Sequence, residues 1–170
     1  MSVHLYTRSS YSILTSTIRI KELVQYAKNL EYTSVALTDH NVMFAAASFI
    51  DACKKEGIHP IVGMEVDCMY HDMIVPFVLL CKDNKGYQQL MVLSSFLNEK
   101  EKTCSLEQLQ SMLPHCHLIA FSEGGFIDSE MIKDDGEGIR EKLKIMKNDL
   151  QDFDIALSYQ EASLWKNRNA

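Results

Sequence analysis

Asp39, His40 and Glu65 are the residues whose types could do chemistry together: two carboxylates and an imidazole, groups that hold divalent cations or move protons. They fall in one stretch, Val35 to Glu65. It reads as a buried strand ending in Thr38-Asp39-His40, a helix from about Phe44 to Glu56, a stop at Gly57 and a further strand ending in Glu65. Loops at the carboxyl ends of strands in such a unit share one rim of the sheet, so all three residues are expected at a common site.

The elements that must position them follow from periodicity. Val3 to Thr7 reads as a first strand, followed by the hydroxyl-rich turn "RSSYS". Ile20, Leu23, Val24, Ala27 and Leu30 recur at helical spacing, and "SVAL" is a short apolar strand suited to a parallel sheet covered on both faces. In the next helix Phe44, Ala45, Ala47 and Ile50 are expected inward, with Lys54 and Lys55 complementing the dipole of its last turn. "IHPIVGMEV" is a strand with Pro60 at its start, "DCMYHDM" a connection, and "IVPFVLLC" a strand in which Pro76 marks an edge or bulge.

A turn at Asp83, Asn84 and Gly86 precedes a helix with Leu90, Leu93, Phe96 and Leu97 inward. Ser105 and Gln108 have capping-box spacing for a short helix ended by Pro114, and "HLIAF" is the next strand, closed by a turn at residues 122–125. A loop at "DDGEG", a helix from Ile139 to Leu150, the strand "DFDIALS" and a helix around Leu164 and Trp165 complete the chain. Strands alternating with helices indicate an α/β fold with a largely parallel sheet of the kind that closes into a barrel.

With 170 residues, 46% of them apolar, the chain can build a core, and the size is that of one domain or part of one. A net charge of -6 argues against holding nucleic acid by phosphate neutralisation. Five cysteines without C-x-x-C spacing fit reduced thiols and a cytoplasmic location. Neither a secretion signal nor a membrane span is read from the sequence.

The strings "HLYTRSSYSIL", "ALTDHNVMF", "GIHPIVGMEV", "FVLLCKDNKGYQQLMVLSS" and "LIAFSEGG" occur in this order from about residue 3 to 125. Together they resemble the amino-terminal PHP domain (polymerase and histidinol phosphatase domain) of bacterial C-family replicative DNA polymerases, the DNA polymerase III alpha subunits of DnaE type. The resemblance implies a distorted barrel of seven β/α units, incomplete at the carboxyl end here. Residues 1–170 would then be a single PHP domain, and a fragment of a much longer chain. A barrel cut short leaves a strand edge, expected to pair with another copy or to be covered by the Leu164-Trp165 helix.

Metal-binding members of that family carry an H-x-H pair on the first strand, a histidine in the Thr-Asp-His turn, a Glu ending the third strand, and later ligands. On this chain the H-x-H positions fall on Tyr6 and Arg8, and the later ones on Pro76 and near Gly124. His40 and Glu65 match as metal ligands of a degenerate site, and Asp39 matches as a supporting carboxylate. His4, Tyr6, Arg8, Ser12 and Asp39 form the expected rim. A permanent guanidinium at Arg8 is expected to pair with Glu65 or Asp39 in place of the ion.

His40 and Glu65 keep the plainer alternatives of a hydrogen-bonded turn histidine and a salt bridge. Of the "HCH" run, only His115 and His117 could share a ligand, since alternate strand residues face opposite ways. His59 and His71 read as loop or strand-end residues. The Ser10-Tyr11-Ser12 turn is expected to organise the rim by hydrogen bonds, since no histidine–acid pair is spaced to activate a serine.

No catalytic residue is expected, and no cofactor, with zinc or manganese as the alternative and magnesium serving the whole polymerase. The function implied is a structural or partner-binding module of a DNA polymerase. Its expected partners are the remaining polymerase domains and a proofreading or other replisome subunit, with DNA reached only through the full-length protein. The competing readings are a metal-dependent phosphoesterase or 3'-5' exonuclease, and a freestanding α/β hydrolase.

Overall fold

Helical periodicity translates directly into α1 (Ile20–Asn29), whose Ile20, Val24 and Ala27 are buried. In the computed structural model, which describes residues 3–71, 73–99, 102–121, 137–151 and 153–156, α1 is followed by β1 (Ser34–His40), α2 (Ala46–Glu56), β2 (His59–Tyr70) and β3 (Met73–Cys81). Then come α3 (Asn84–Glu99), β4 (Cys104–Ser105), α4 (Leu106–Met112) and β5 (Cys116–Phe121). The chain divides into two compact units between Ile119 and Ala120. The second contains α5 (Glu137–Leu150), with Met146 and Leu150 fully buried, and the short β6 (Asp154–Ala156). The expected turn at 122–125, the "DDGEG" loop, the ligand position near Gly124 and the Leu164-Trp165 helix lie outside the described residues.

The fold class is α/β with a mixed sheet. In the first unit β1, β2, β3 and β5 lie side by side in that order, and β4 pairs with β2. β1 and β2 are parallel, with Asp39 opposite Met64 and His40 opposite Glu65. β2 and β3 are antiparallel, and this corrects the largely parallel sheet expected from the sequence. The reason is local. Val66, Cys68 and Tyr70 are buried while Asp67 and Met69 are not, so β2 keeps its two-residue alternation through the segment read as a connection, and turns at His71. Pro76 stands opposite Asp67, whose N–H turns away from β3 to the Asn41 side chain; at such a position a missing amide removes no bond between the two strands.

Val3 to Thr7 does not form the expected ladder strand. The segment runs beside β1, with Ala36 N–H donating to His4 O (3.1 Å) and Thr38 N–H to Thr7 O (2.8 Å). It advances three residues where β1 advances two, and Thr7 N–H donates to the Thr38 hydroxyl at 3.0 Å instead of to the next carbonyl. The extra residue breaks the ladder as a bulge does.

The core beneath the site joins Ile20, Val24 and Ala27 of α1 to Val35, Leu37, Ala45, Phe49, Cys53 and Ile58. The inward face of α2 is therefore Ala45, Ala46, Phe49 and Cys53, whereas Phe44 is 64% exposed and Ala47 is exposed, contrary to the expected stripe. Burying Phe49 contributes about 2–3 kcal/mol. Gly57 closes α2 in the left-handed region at φ 72°, as its position after the last turn predicts. The capping box at Ser105 and Gln108 is formed at α4. In α3 Leu90, Leu93 and Leu97 are buried as expected. Among the described residues no helix is long and apolar enough to cross a membrane.

The start of α3 packs tightly on the strand beside it. A Cβ at Gly86 would lie 2.2 Å from the His115 carbonyl oxygen. Gly86→Ala is expected to destabilise the fold by about 1–3 kcal/mol in urea denaturation, because a rigid backbone oxygen must move.

Candidate functional site

Strand alternation decides which rim residues meet. Glu65 and His40 are register partners in a parallel pair and share one face of the sheet. Asp39 projects to the other face, where it lines a small crevice with Leu37, Val42 and Ala46. The expectation that Asp39, His40 and Glu65 converge is thus corrected for Asp39.

Glu65 is 3% exposed and fully engaged. Arg8 grips it with a two-pronged fork, Nε to Oε2 at 2.7 Å and an Nη to Oε1 at 2.5 Å, while the Tyr6 hydroxyl donates to Oε2 at 2.8 Å. The guanidinium also lies 5.4 Å from the centre of the Tyr6 ring. Burial works against the Arg8 charge, but the hydrogen bonds and charge of Glu65 outweigh it, so its pKa is raised. Burial, followed by the Glu65 charge, also raises the Tyr6 pKa and keeps its hydroxyl a donor. Of the two partners expected for Arg8, the structure gives Glu65.

Asp39, 2% exposed, anchors the turn that follows Arg8. It accepts from Ser9 N–H (2.6 Å), Ser9 Oγ (2.7 Å) and Ser12 Oγ (2.6 Å), and Ser12 Oγ in turn accepts from His40 N–H at 3.0 Å. The hydroxyls that organise the rim are those of Ser9 and Ser12; Ser10 and Tyr11 are exposed.

His40 Nε2 lies 2.9 Å from Asp67 Oδ2. That hydrogen bond raises the His40 pKa, against an opposing effect of burial. Asp67 was not singled out in the sequence, although Glu65-x-Asp67 has the two-residue spacing that puts both carboxylates on one strand face. Asn41, also missed, sits in the left-handed region at φ 57° just where β1 ends. Its N–H donates to Glu65 O (2.7 Å), its side-chain oxygen accepts from Asp67 N–H (3.2 Å), and its carbonyl accepts from the Asn98 side chain of α3 (2.9 Å).

His4 is not on this rim. Its ring nitrogen is 3.0 Å from the Tyr32 hydroxyl, at the opposite end of β1 from His40, because its carbonyl pairs with Ala36 near the start of that strand. His115 pairs with Asp83 at 2.7 Å, and His59 and His71 are exposed strand-end and turn residues. Among the described residues, no group of three or more His, Cys, Asp and Glu side chains is placed to hold a metal ion.

The model of the PHP domain family matches residues 4–162, nearly the whole chain. The chain belongs to the PHP domain family. This PHP domain is 37% identical over 130 residues to the DNA polymerase III subunit alpha of Halalkalibacterium halodurans, covering 74% of the chain and 12% of that relative. It is 46% identical over 103 residues to the Bacillus subtilis subunit, covering 59% and 9%. With the Staphylococcus epidermidis subunit identity is 34% over 142 residues, covering 83% and 13%. The chain therefore spans about an eighth or less of the length of these relatives.

Two solved structures share the fold. An amidohydrolase from Chromobacterium violaceum superposes with a TM-score of 0.60 at 14% identity, over 90% of this chain and 75% of the other. A protein from Bifidobacterium adolescentis, provisionally described as a metal-dependent phosphoesterase, gives 0.61 at 13% identity, over 97% and 80%. At that identity the likeness extends to the β/α barrel architecture alone.

Two measurements test this geometry. Asp39→Ala leaves a buried amide and two hydroxyls without their acceptor and is expected to cost about 2–3 kcal/mol in chemical denaturation. The His40–Asp67 pair acts on pH dependence. A histidine whose pKa is raised in the folded state adds stability that is fully present below its ordinary value of 6.5 and is lost as pH rises through the higher folded value. Asp67→Asn is therefore expected to lower stability by under about 1 kcal/mol near pH 6, the pair being partly exposed, with the deficit narrowing as pH rises above the folded value.

Proposed function

We propose that this PHP domain is a structural and partner-binding module of a C-family replicative polymerase alpha subunit, with no hydrolytic activity of its own. DNA synthesis, and the magnesium it needs, belong to other domains of the longer protein. Its partners are those polymerase domains and a proofreading or other replisome subunit, and it works in the cytoplasm. The family membership and the polymerase relatives support the setting.

One observation carries the non-catalytic reading. Glu65, the carboxylate best placed to ligate a cation, already has both oxygens in the Arg8 fork. A fixed positive charge within hydrogen-bonding distance repels a divalent ion, and zinc ordinarily takes at least three protein donors. His40 faces Asp67 on the same rim, and these two with Glu65 do not make a free triad. The donor set thus does not fit the metal that the family can hold, and the guanidinium supplies the positive charge in its place.

The second reading is a metal-dependent phosphoesterase or 3'-5' exonuclease. It is favoured by the retained His40 with its carboxylate partner and by the structural neighbour described as a phosphoesterase. The two readings separate in one experiment. The chain is expected to leave a chromogenic phosphodiester and single-stranded DNA unhydrolysed with added Mn²⁺ or Zn²⁺, and to bind either ion weakly by calorimetry. The double variant Tyr6→His with Arg8→His frees Glu65, restores the imidazole pair, and is expected to tighten metal binding by about tenfold or more. Turnover by the unaltered chain that His40→Ala abolishes would establish the second reading.

A further inference from the structure

Four of the five cysteines stand in two cross-strand pairs. Cys68 on β2 is directly opposite Cys104 on β4, and both are buried, at 0% and 1% exposure. Cys81 ends β3 and Cys116 opens β5, strands that lie side by side. Between them Lys82 N–H donates to His115 O at 2.9 Å, clasping the two strand ends one residue from each sulfur. In both pairs the thiols are hydrogen-bonded to each other. Neighbouring strands run about 4.8 Å apart, inside the Cα separation of about 4.4–6.8 Å that a disulfide spans.

Access separates the pairs. Cys81 is partly exposed and lines an open cavity of about 550 Å³ together with His59, Asp83 and Tyr87. Cys116 lies beneath it, covered by the first turn of α3, where a Cβ at Gly86 would come within 3.1 Å of its sulfur. Cys68 and Cys104 are both fully buried. We propose that Cys81 and Cys116 are a dithiol modification site that hydroperoxides convert to a disulfide, while Cys68 and Cys104 remain thiols.

The step balances within the pair. Loss of one proton leaves a thiolate that rests mainly on Cys116, because the bond from Cys81 lowers the pKa of that thiol while the same bond, burial and the nearby Asp83 charge raise that of Cys81; the proton can pass back along the bond. When the remaining proton resides on Cys116, the accessible Cys81 sulfur attacks the peroxide, becoming a sulfenic acid as the O–O bond breaks and the first water leaves. The Cys116 thiolate then attacks the Cys81 sulfur and expels hydroxide, which is protonated to a second water. Two thiols lose two electrons to one hydrogen peroxide. A dithiol reductant reverses the change by exchange.

Hydrogen peroxide applied to the native 170-residue chain, followed by alkylation and peptide mapping, tests this. The expected product is a Cys81–Cys116 cross-linked peptide lacking two hydrogen atoms, reversed by dithiothreitol. It should form at least about tenfold faster than any species containing Cys68 or Cys104, which should be alkylated only after unfolding. Cys81→Ser should abolish the cross-link; should that variant not fold, the map of the unaltered chain decides alone. Cys81 accumulating as sulfinic acid with Cys116 still free, a Cys68–Cys104 bridge forming first, or no cross-link at all would overturn the proposal.

Discussion

The buried pairing of Arg8 with Glu65 is the constraint on which the rest of the rim depends. A carboxylate removed from water loses several kcal/mol of hydration, and only a well-formed set of donors offsets that loss. Here the offset comes from a guanidinium fork and a phenol, both carried by a segment that makes no regular ladder. The amino-terminal segment and the middle of β2 are therefore mutually dependent. Glu65 has its donors because the segment is there, and the segment is held because the carboxylate is there.

The same logic runs through the neighbouring turn. Asp39 organises Ser9 and Ser12, Thr38 engages Thr7 through its hydroxyl, and Ser16 Oγ closes onto Arg8 O at 2.7 Å. Side chains of β1 and β2 thus take the place of the missing backbone ladder. The polar groups conspicuous in the sequence serve largely to hold chain against chain. In water each such bond is worth little net, but among buried partners the loss of one strands the others, so the network behaves as a unit.

Much of this was legible from local pattern. The α1 stripe, the Gly57 stop, the capping box at Ser105 and Gln108, and the pairing of Arg8 with a rim carboxylate all follow from spacing or from charge at a known motif position. The errors share a cause, which is that register and facing are set by partners distant in sequence. Asp39 and His40 are adjacent, so a strand must send them to opposite faces, yet grouping them as one motif hid this. The hairpin after Glu65 was masked by "YHDM", although Val66, Cys68 and Tyr70 already alternated. Val3 to Thr7 has strand composition, and only its mismatch against β1 shows why no ladder forms.

Asn41 carries one last consequence. Its left-handed backbone and short amide let a single residue bond with β2 beyond the end of β1 and with α3, a combination of torsion and hydrogen bonding that few other side chains supply. Selection would hold such a position nearly fixed while asking no reactivity of it. Placed immediately after a Thr-Asp-His turn, it would look in any family comparison like part of a catalytic signature, and its constancy would record masonry rather than chemistry.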